Sequence, residues 1–181
     1  QQKPVVTVCD ATIASAAYWV GSAANAIYMS GPTVQAGSIG IVSRMGLSKA
    51  DPESMEFTRG KYKRGSVNGA KPDGEFMAYY EAQLDHLYSV FVDAVAQHRG
   101  ATSAQVLQHM ADGRVFIGQQ AIDAGLADGF ATVDAIVEAM ATNPQTYAAR
   151  KRSVFAMPQA PGKTNRAPAP AGAQAPVAIT K

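Results

Sequence analysis

Pro4-Val-Val-Thr-Val-Cys-Asp-Ala-Thr-Ile-Ala-Ser-Ala-Ala-Tyr-Trp19 is the stretch that decides the fold. Its opening, Pro4–Asp10, is a β-rich run behind a proline and predicts a buried strand. Small residues lead from Ala11 to Ser15, and Ala16–Ala24 (Ala-Ala-Tyr-Trp-Val-Gly-Ser-Ala-Ala) predicts a short helix. A strand that runs through a serine into a helix puts a hydroxyl where free N–H groups and the helix dipole favour negative charge. Small neighbours let a substrate backbone come close. The alternative reading is an N-cap, in which the serine oxygen accepts a bond from the first helical turn. The residues alone leave both open.

Further along, Ala26–Met29 reads as a second strand, ended by Gly31-Pro32, and Ile39–Ser43 as a third, set up by Gly37. Residues 46–54 are polar and loop-like, and Met55–Thr58 suggests one more strand. From Asp73 to His98 the period changes. Phe76, Tyr80, Leu84, Leu87, Phe91 and Val95 recur at steps of three and four, which predicts an amphipathic helix stopped by Arg99-Gly100. Its further aromatics, Tyr79 and Tyr88, fall on other sides and suggest an oligomer interface. Thr102-Ser-Ala-Gln105 fits a capping box opening a second helix to about Met110. Gly118–Ala124 predicts a third, closed by Gly125, and Thr132–Ala141 a fourth. Early strands with helices throughout place the chain in the α/β class.

The chain has 181 residues, 47% apolar and 17% charged, enough for one domain with a real core. Its net charge of +2 is uneven. All 14 acids lie at or before Glu138, against ten Lys and Arg, so this part carries −4. The six remaining cations follow from Arg150 onward. A body of that sign disfavours nucleic-acid binding, which needs a basic face. Pro158–Lys181 holds five of the ten prolines and seven alanines, a low-complexity composition that predicts an extended or disordered tail. The expected division is therefore a folded part over residues 1–141 and a linker with a basic tail over 142–181. No apolar run reaches 18 residues, so no membrane span is expected. One cysteine, Cys9, excludes an intrachain disulfide and reads as a buried strand residue. Trp19, Tyr18 and Tyr28 read as core or subunit contacts, Arg99 and Arg114 as structural or at a subunit interface.

A base for Ser15 is the next question. His86, His98 and His109 all fall on predicted helices well downstream and support that role poorly, and three histidines give little for a metal centre. Gly60-Lys-Tyr-Lys-Arg64 is a basic knot that reads either as a solvated loop or as the source of a lysine base.

At this point several separated motifs agree in order and spacing with one family. Ala14-Ser-Ala-Ala-Tyr-Trp19, Ser22-Ala-Ala24, Gly37-Ser-Ile-Gly-Ile41 and Gly60-Lys-Tyr-Lys63 resemble the Ser-Lys serine peptidases that include signal peptide peptidase A. Phe91–Gly100 and Gly113–Asp128 resemble that family's helical half. Ala-Ser-Ala-Ala-Tyr-Trp, where cellular members more often have Ser-Gly-Gly-Tyr, is similar to the phage and prophage branch, the capsid-maturation proteases of the lambda procapsid type. The Ala/Pro-rich extension suits that branch.

The resemblance implies a ClpP/crotonase-like fold lacking its N-terminal βα units, together with the glycine pair that gives the second oxyanion donor. It implies Ser15 as nucleophile, Lys63 as general base 48 positions later, Ser38 as the group that orients the lysine amine, and the Ala16 N–H as an oxyanion donor. Lys61 is the rival for the base. A free lysine titrates near 10.4, so the base must be lowered by roughly three units, through burial against Tyr18 or Tyr62 or through the charges of Lys61 and Arg64. No metal or organic cofactor is implied. The expected function is endopeptidase cleavage of scaffold, capsid or portal proteins during phage head maturation, by a homo-oligomer in the host cytoplasm or procapsid interior. The alternatives are a membrane-associated bacterial signal peptide peptidase and an inert scaffolding module.

Overall fold

A computed structural model describes residues 3–44, 57–63 and 72–148. The chain begins with β1 (Val6–Cys9) and β2 (Thr12–Ala14), then α1 (Ala16–Ser22), β3 (Ala26–Met29) and β4 (Gln35–Gly37). The helical part follows as α2 (Gly74–Arg99), α3 (Ser103–His109), β5 (Val115–Ile117), α4 (Gln119–Asp123), β6 (Gly129–Phe130), α5 (Val133–Thr142) and α6 (Gln145–Ala148). The result is a mixed α/β structure with two small sheets. One has the order β1-β3-β6 and is parallel throughout, with Val6 opposite Ala26 and Tyr28 opposite Gly129. The other has the order β2-β4-β5. Here β2 and β4 are parallel, with Ala14 opposite Gly37, and β5 runs antiparallel to β4.

The strand expected within Pro4–Asp10 forms as β1, and after the break at Asp10-Ala11 a further short strand, β2, joins the other sheet. The strand expected over Ile39–Ser43 is not formed. Pairing stops at Gly37, where φ of 118° at Gly37 and 51° at Ser38 turns the chain off the ladder. Ile39 stays buried, but Val42 is exposed. Residues 46–54 and Met55 lie outside the described residues, and Phe57 and Thr58 are not in a strand.

The helices form where capping chemistry allows. The Asp73 carboxylate accepts the Phe76 N–H at 2.7 Å to start α2, and Gly100 ends it in the left-handed conformation with φ of 64°. The capping box at Thr102 and Gln105 is present in full at the start of α3. Thr132 caps α5 through the Ala135 N–H. The buried face of α2 differs from the expected one. Phe76, Phe91 and Val95 are buried, but Leu87 is 49% exposed, while Val92, Ala96 and Arg99 are inside. Burial is concentrated in the last three turns, and among the described residues the earlier turns have little to pack on.

Those last turns meet α1 and both sheets in the main core. Tyr18, Ile27, Met29, Ile39, Phe91, Met110 and Leu126 are its largest buried side chains. Each such burial contributes roughly 1.5–3 kcal/mol. Trp19 stacks on Phe91 with ring centres 4.7 Å apart. A smaller cluster of Ala26, Ile136 and Tyr147 joins α5 and α6 to β3, so packed structure continues to Ala148. Among the described residues no helix is long and apolar enough to cross a membrane.

Candidate active site

Ser15 sits between β2 and α1 with φ of 54° and ψ of −128°. A non-glycine residue rarely adopts such a backbone, which costs about 1–3 kcal/mol. The turn is held from both sides: the Ser15 N–H donates to the Gly37 carbonyl at 2.8 Å, and the Ser15 carbonyl accepts from Trp19 at 3.0 Å. Ser15 occupies the N-cap position but its side chain makes no capping bond. The N-cap reading fails for that reason, and the hydroxyl is presented on an exposed residue.

The same elbow occurs a second time. Gly118 joins β5 to α4 with φ of 50° and ψ of −120°. There a Cβ would lie 2.1 Å from the Pro32 carbonyl oxygen, so only glycine fits. At Ser15 the same strained geometry carries a side chain in the open. Glycine would relieve the strain there too, so the hydroxyl is kept at an energetic cost.

Ser38 is brought to the same place. Ala14 and Gly37 are partners in the parallel β2–β4 ladder, and Ser15 and Ser38 are the next residue on each strand. Ser38 also has positive φ, of 51°, and is fixed by its N–H donating to the Arg114 carbonyl at 2.8 Å. Ala16 opens α1 and is exposed. The N–H groups of a first helical turn, that of Ala16 among them, have no intrahelical acceptor.

Lys63 lies in an exposed turn, where its N–H donates to the Gly60 carbonyl at 3.2 Å. No hydrogen bond among the described residues joins its side chain to Ser15 or Ser38. The burial expected of the base against Tyr18 or Tyr62 is not present in this chain. Tyr18 is fully buried and donates to the Leu126 carbonyl at 2.9 Å, and burial pushes its phenol far above its ordinary range. Tyr62 instead stacks on Tyr79 with centres 4.4 Å apart. The rival, Lys61, pairs with Glu75, whose hydrogen bond raises the lysine above its ordinary value. A lysine held charged is a poor base.

The remaining candidates have structural places. His98 Nδ1 meets the Ser22 hydroxyl at 2.9 Å, at the far end of α1 from Ser15, about 10 Å away along the axis. His86 and His109 are exposed. Cys9 is 5% exposed, and burial raises its thiol, so it is no nucleophile. Arg99 is buried and pairs with Asp128 at 2.8 Å. The reading of the residues missed the short strand β2 and the twin elbow at Gly118. Thr12-Ile-Ala14 and Val115-Phe-Ile117 are three-residue strands too short to carry a period that would have signalled them.

Residues 1–146 match the sequence profile of Peptidase family S49. The chain is 30% identical over 131 residues to a putative signal peptide peptidase SppA of Enterococcus faecium, covering 69% of this chain and 37% of that protein. It is 34% identical over 139 residues to the chloroplastic serine protease SPPA of Arabidopsis thaliana, covering 71% of this chain and 20% of that protein. The chain therefore spans well under half the length of these relatives. With the profile matched over most of its length, the chain belongs to Peptidase family S49.

Proposed function

We propose that this chain carries the nucleophile and the general base of a serine endopeptidase, Ser15 and Lys63. The observation that supports this best is the Ser15 elbow: a strained, exposed serine without a capping role, beside Ser38 at the ends of adjacent parallel strands. In this reading Ser15 Oγ attacks a peptide carbonyl while neutral Lys63 takes its proton. The Ala16 N–H stabilises the oxyanion, and the protonated lysine then delivers the proton to the leaving amine. Water, deprotonated by the same lysine, releases the acyl group. Ser38 orients the amine without requiring it to be charged. Lys63 is exposed in this chain, so this reading requires that the bound peptide or a second copy cover its turn.

The substrate is a protein or peptide. The name of the Enterococcus faecium relative, putative signal peptide peptidase SppA, favours cleavage of signal peptides. Ala14-Ser-Ala-Ala-Tyr-Trp19 and the Ala/Pro-rich 158–181 favour the second reading, cleavage of scaffold, capsid or portal proteins inside a procapsid. Digestion of a signal peptide and of a capsid scaffold protein side by side separates the two.

Lysine variants test the base. Lys63→Ala is expected to slow acylation of Ser15 by an alkyl fluorophosphonate about 100- to 1,000-fold, the scale of a general base. Lys61→Ala is expected to leave it within a few-fold. The reverse pattern moves the base to Lys61, and full labelling of both variants removes lysine from the mechanism. No label on a full-length, folded protein would support the reading as an inert scaffolding module.

A further inference from the structure

The turn that carries Lys63 is tied to one end of α2 by a single carboxylate. Lys61 and Tyr62 are the two central residues between Gly60 and Lys63, and both donate to the same atom, Glu75 Oε1, Tyr62 at 2.8 Å. The Tyr62 ring lies on Tyr79, one turn further along the same helix, with rings 21° from parallel. Tyr79 in turn leans on Phe76, which is 9% exposed and stacks on Tyr80. Lys61 Nζ lies 5.4 Å from the Tyr62 ring centre, which closes the cluster. The base of this cluster is the capped first turn of α2, where Asp73 holds the Phe76 N–H.

From this geometry we propose that Glu75 is a positioning residue for catalysis: by holding Lys61 and Tyr62 it fixes the turn from which Lys63 works. The inference rests on Lys63 being the base. An exposed ion pair alone contributes little to stability. This one acts on placement, because a carboxylate that fixes both middle residues of a turn leaves the next residue few positions. Placement matters steeply for a base that must meet the serine hydroxyl within hydrogen-bond reach. It also explains two lysines in three positions with different tasks: Lys61 anchors and Lys63 reacts.

The test uses the full 181-residue chain and an alkyl fluorophosphonate, with the saturating rate of Ser15 modification measured separately from the half-saturating concentration. Glu75→Ala is expected to lower the saturating rate about tenfold with half-saturation unchanged. Glu75→Gln keeps an oxygen at the atom where both donors meet and is expected to stay within about threefold of wild type. Added to Lys63→Ala, Glu75→Ala is expected to cause no further loss, since it acts only through that lysine. If Lys63→Ala is slow while Glu75→Ala is as fast as wild type, the positioning role is overturned and the dyad stands. Independent, multiplying losses overturn it likewise. If Lys63→Ala labels at the wild-type rate, or the folded wild type takes no label, the dyad fails and this inference falls with it. Should Glu75→Ala not fold, Tyr62→Phe, which removes one hydroxyl, is expected to slow the rate a few-fold, and an unchanged rate overturns the proposal.

Discussion

Ser15→Ala is expected to lower peptide cleavage by at least about 1,000-fold while leaving the melting temperature within a degree or two. A nucleophile removed from a working set costs several powers of ten in rate, because no other group can form the acyl intermediate. Stability is spared because the Ser15 side chain caps nothing and the residue is exposed. Alanine inherits the same strained φ of 54°. Ser15→Gly separates the two roles of the position. It is as inactive as alanine, but glycine adopts this backbone without a Cβ conflict, so the protein is expected to gain about 1 kcal/mol. The gain is seen as a higher urea midpoint at unchanged slope. A glycine variant no more stable than the alanine variant would show that the elbow holds no strain. Cleavage surviving in either variant would exclude Ser15 as nucleophile.

Asp128→Ala is expected to cost about 3–5 kcal/mol in urea unfolding, the scale for breaking a buried ion pair. Both carboxylate oxygens are in use. Oδ1 accepts from Arg99 Nη2 at 2.8 Å, and Oδ2 accepts from Arg99 Nη1 at 3.2 Å and from the Ile27 N–H at 2.7 Å. Arg99 is 4% exposed, and its Nε donates to the Gly125 carbonyl. Losing the carboxylate leaves a buried guanidinium with no counter-charge and an orphaned amide in the middle of β3. The pair clamps the end of α2 to the start of β6 and to β3, so three elements loosen together. Adding Arg99→Met to Asp128→Ala should recover part of the loss, since it removes the stranded charge. A single-variant loss under about 1 kcal/mol would mean that water reaches the pair.

Much of this was legible in the residues, for identifiable reasons. Helix ends were readable wherever a side chain performs the cap: Asp73, Thr102 and Thr132 start helices, and Gly100 stops one. Strand β3 was readable because Ala26–Met29 is a compact apolar run bounded by turn residues. Strands β2, β5 and β6 were not, since two or three residues carry no period, and their partners decide their existence. Ile39–Ser43 had strand-like composition, but positive φ at Gly37 and Ser38 overrides it, a tertiary choice. At the site, the juxtaposition of Ser15 with Ser38 depends on ladder register, which no local pattern encodes. The strain at Ser15 was invisible for the same reason: serine gives no sign of a backbone that glycine would prefer. The role of Glu75 escaped because its partners lie 13 and 14 positions away in a turn.

The uneven burial of α2 has a dynamic consequence. Its last three turns are locked into the core through Phe91, Val92, Val95 and Ala96, whereas over the preceding turns only Phe76 is buried. One continuous helix therefore spans two opening regimes. Amides near its C-terminal end exchange with solvent only when the whole domain unfolds, while those around Tyr79–Gln83 exchange through inexpensive local fraying. The Glu75 cluster sits on that softer end. The turn that carries Lys63 is thus attached to the less buried end of α2, while Ser15 opens α1, which packs into the core, so the two residues of the proposed dyad rest on segments of unequal local stability.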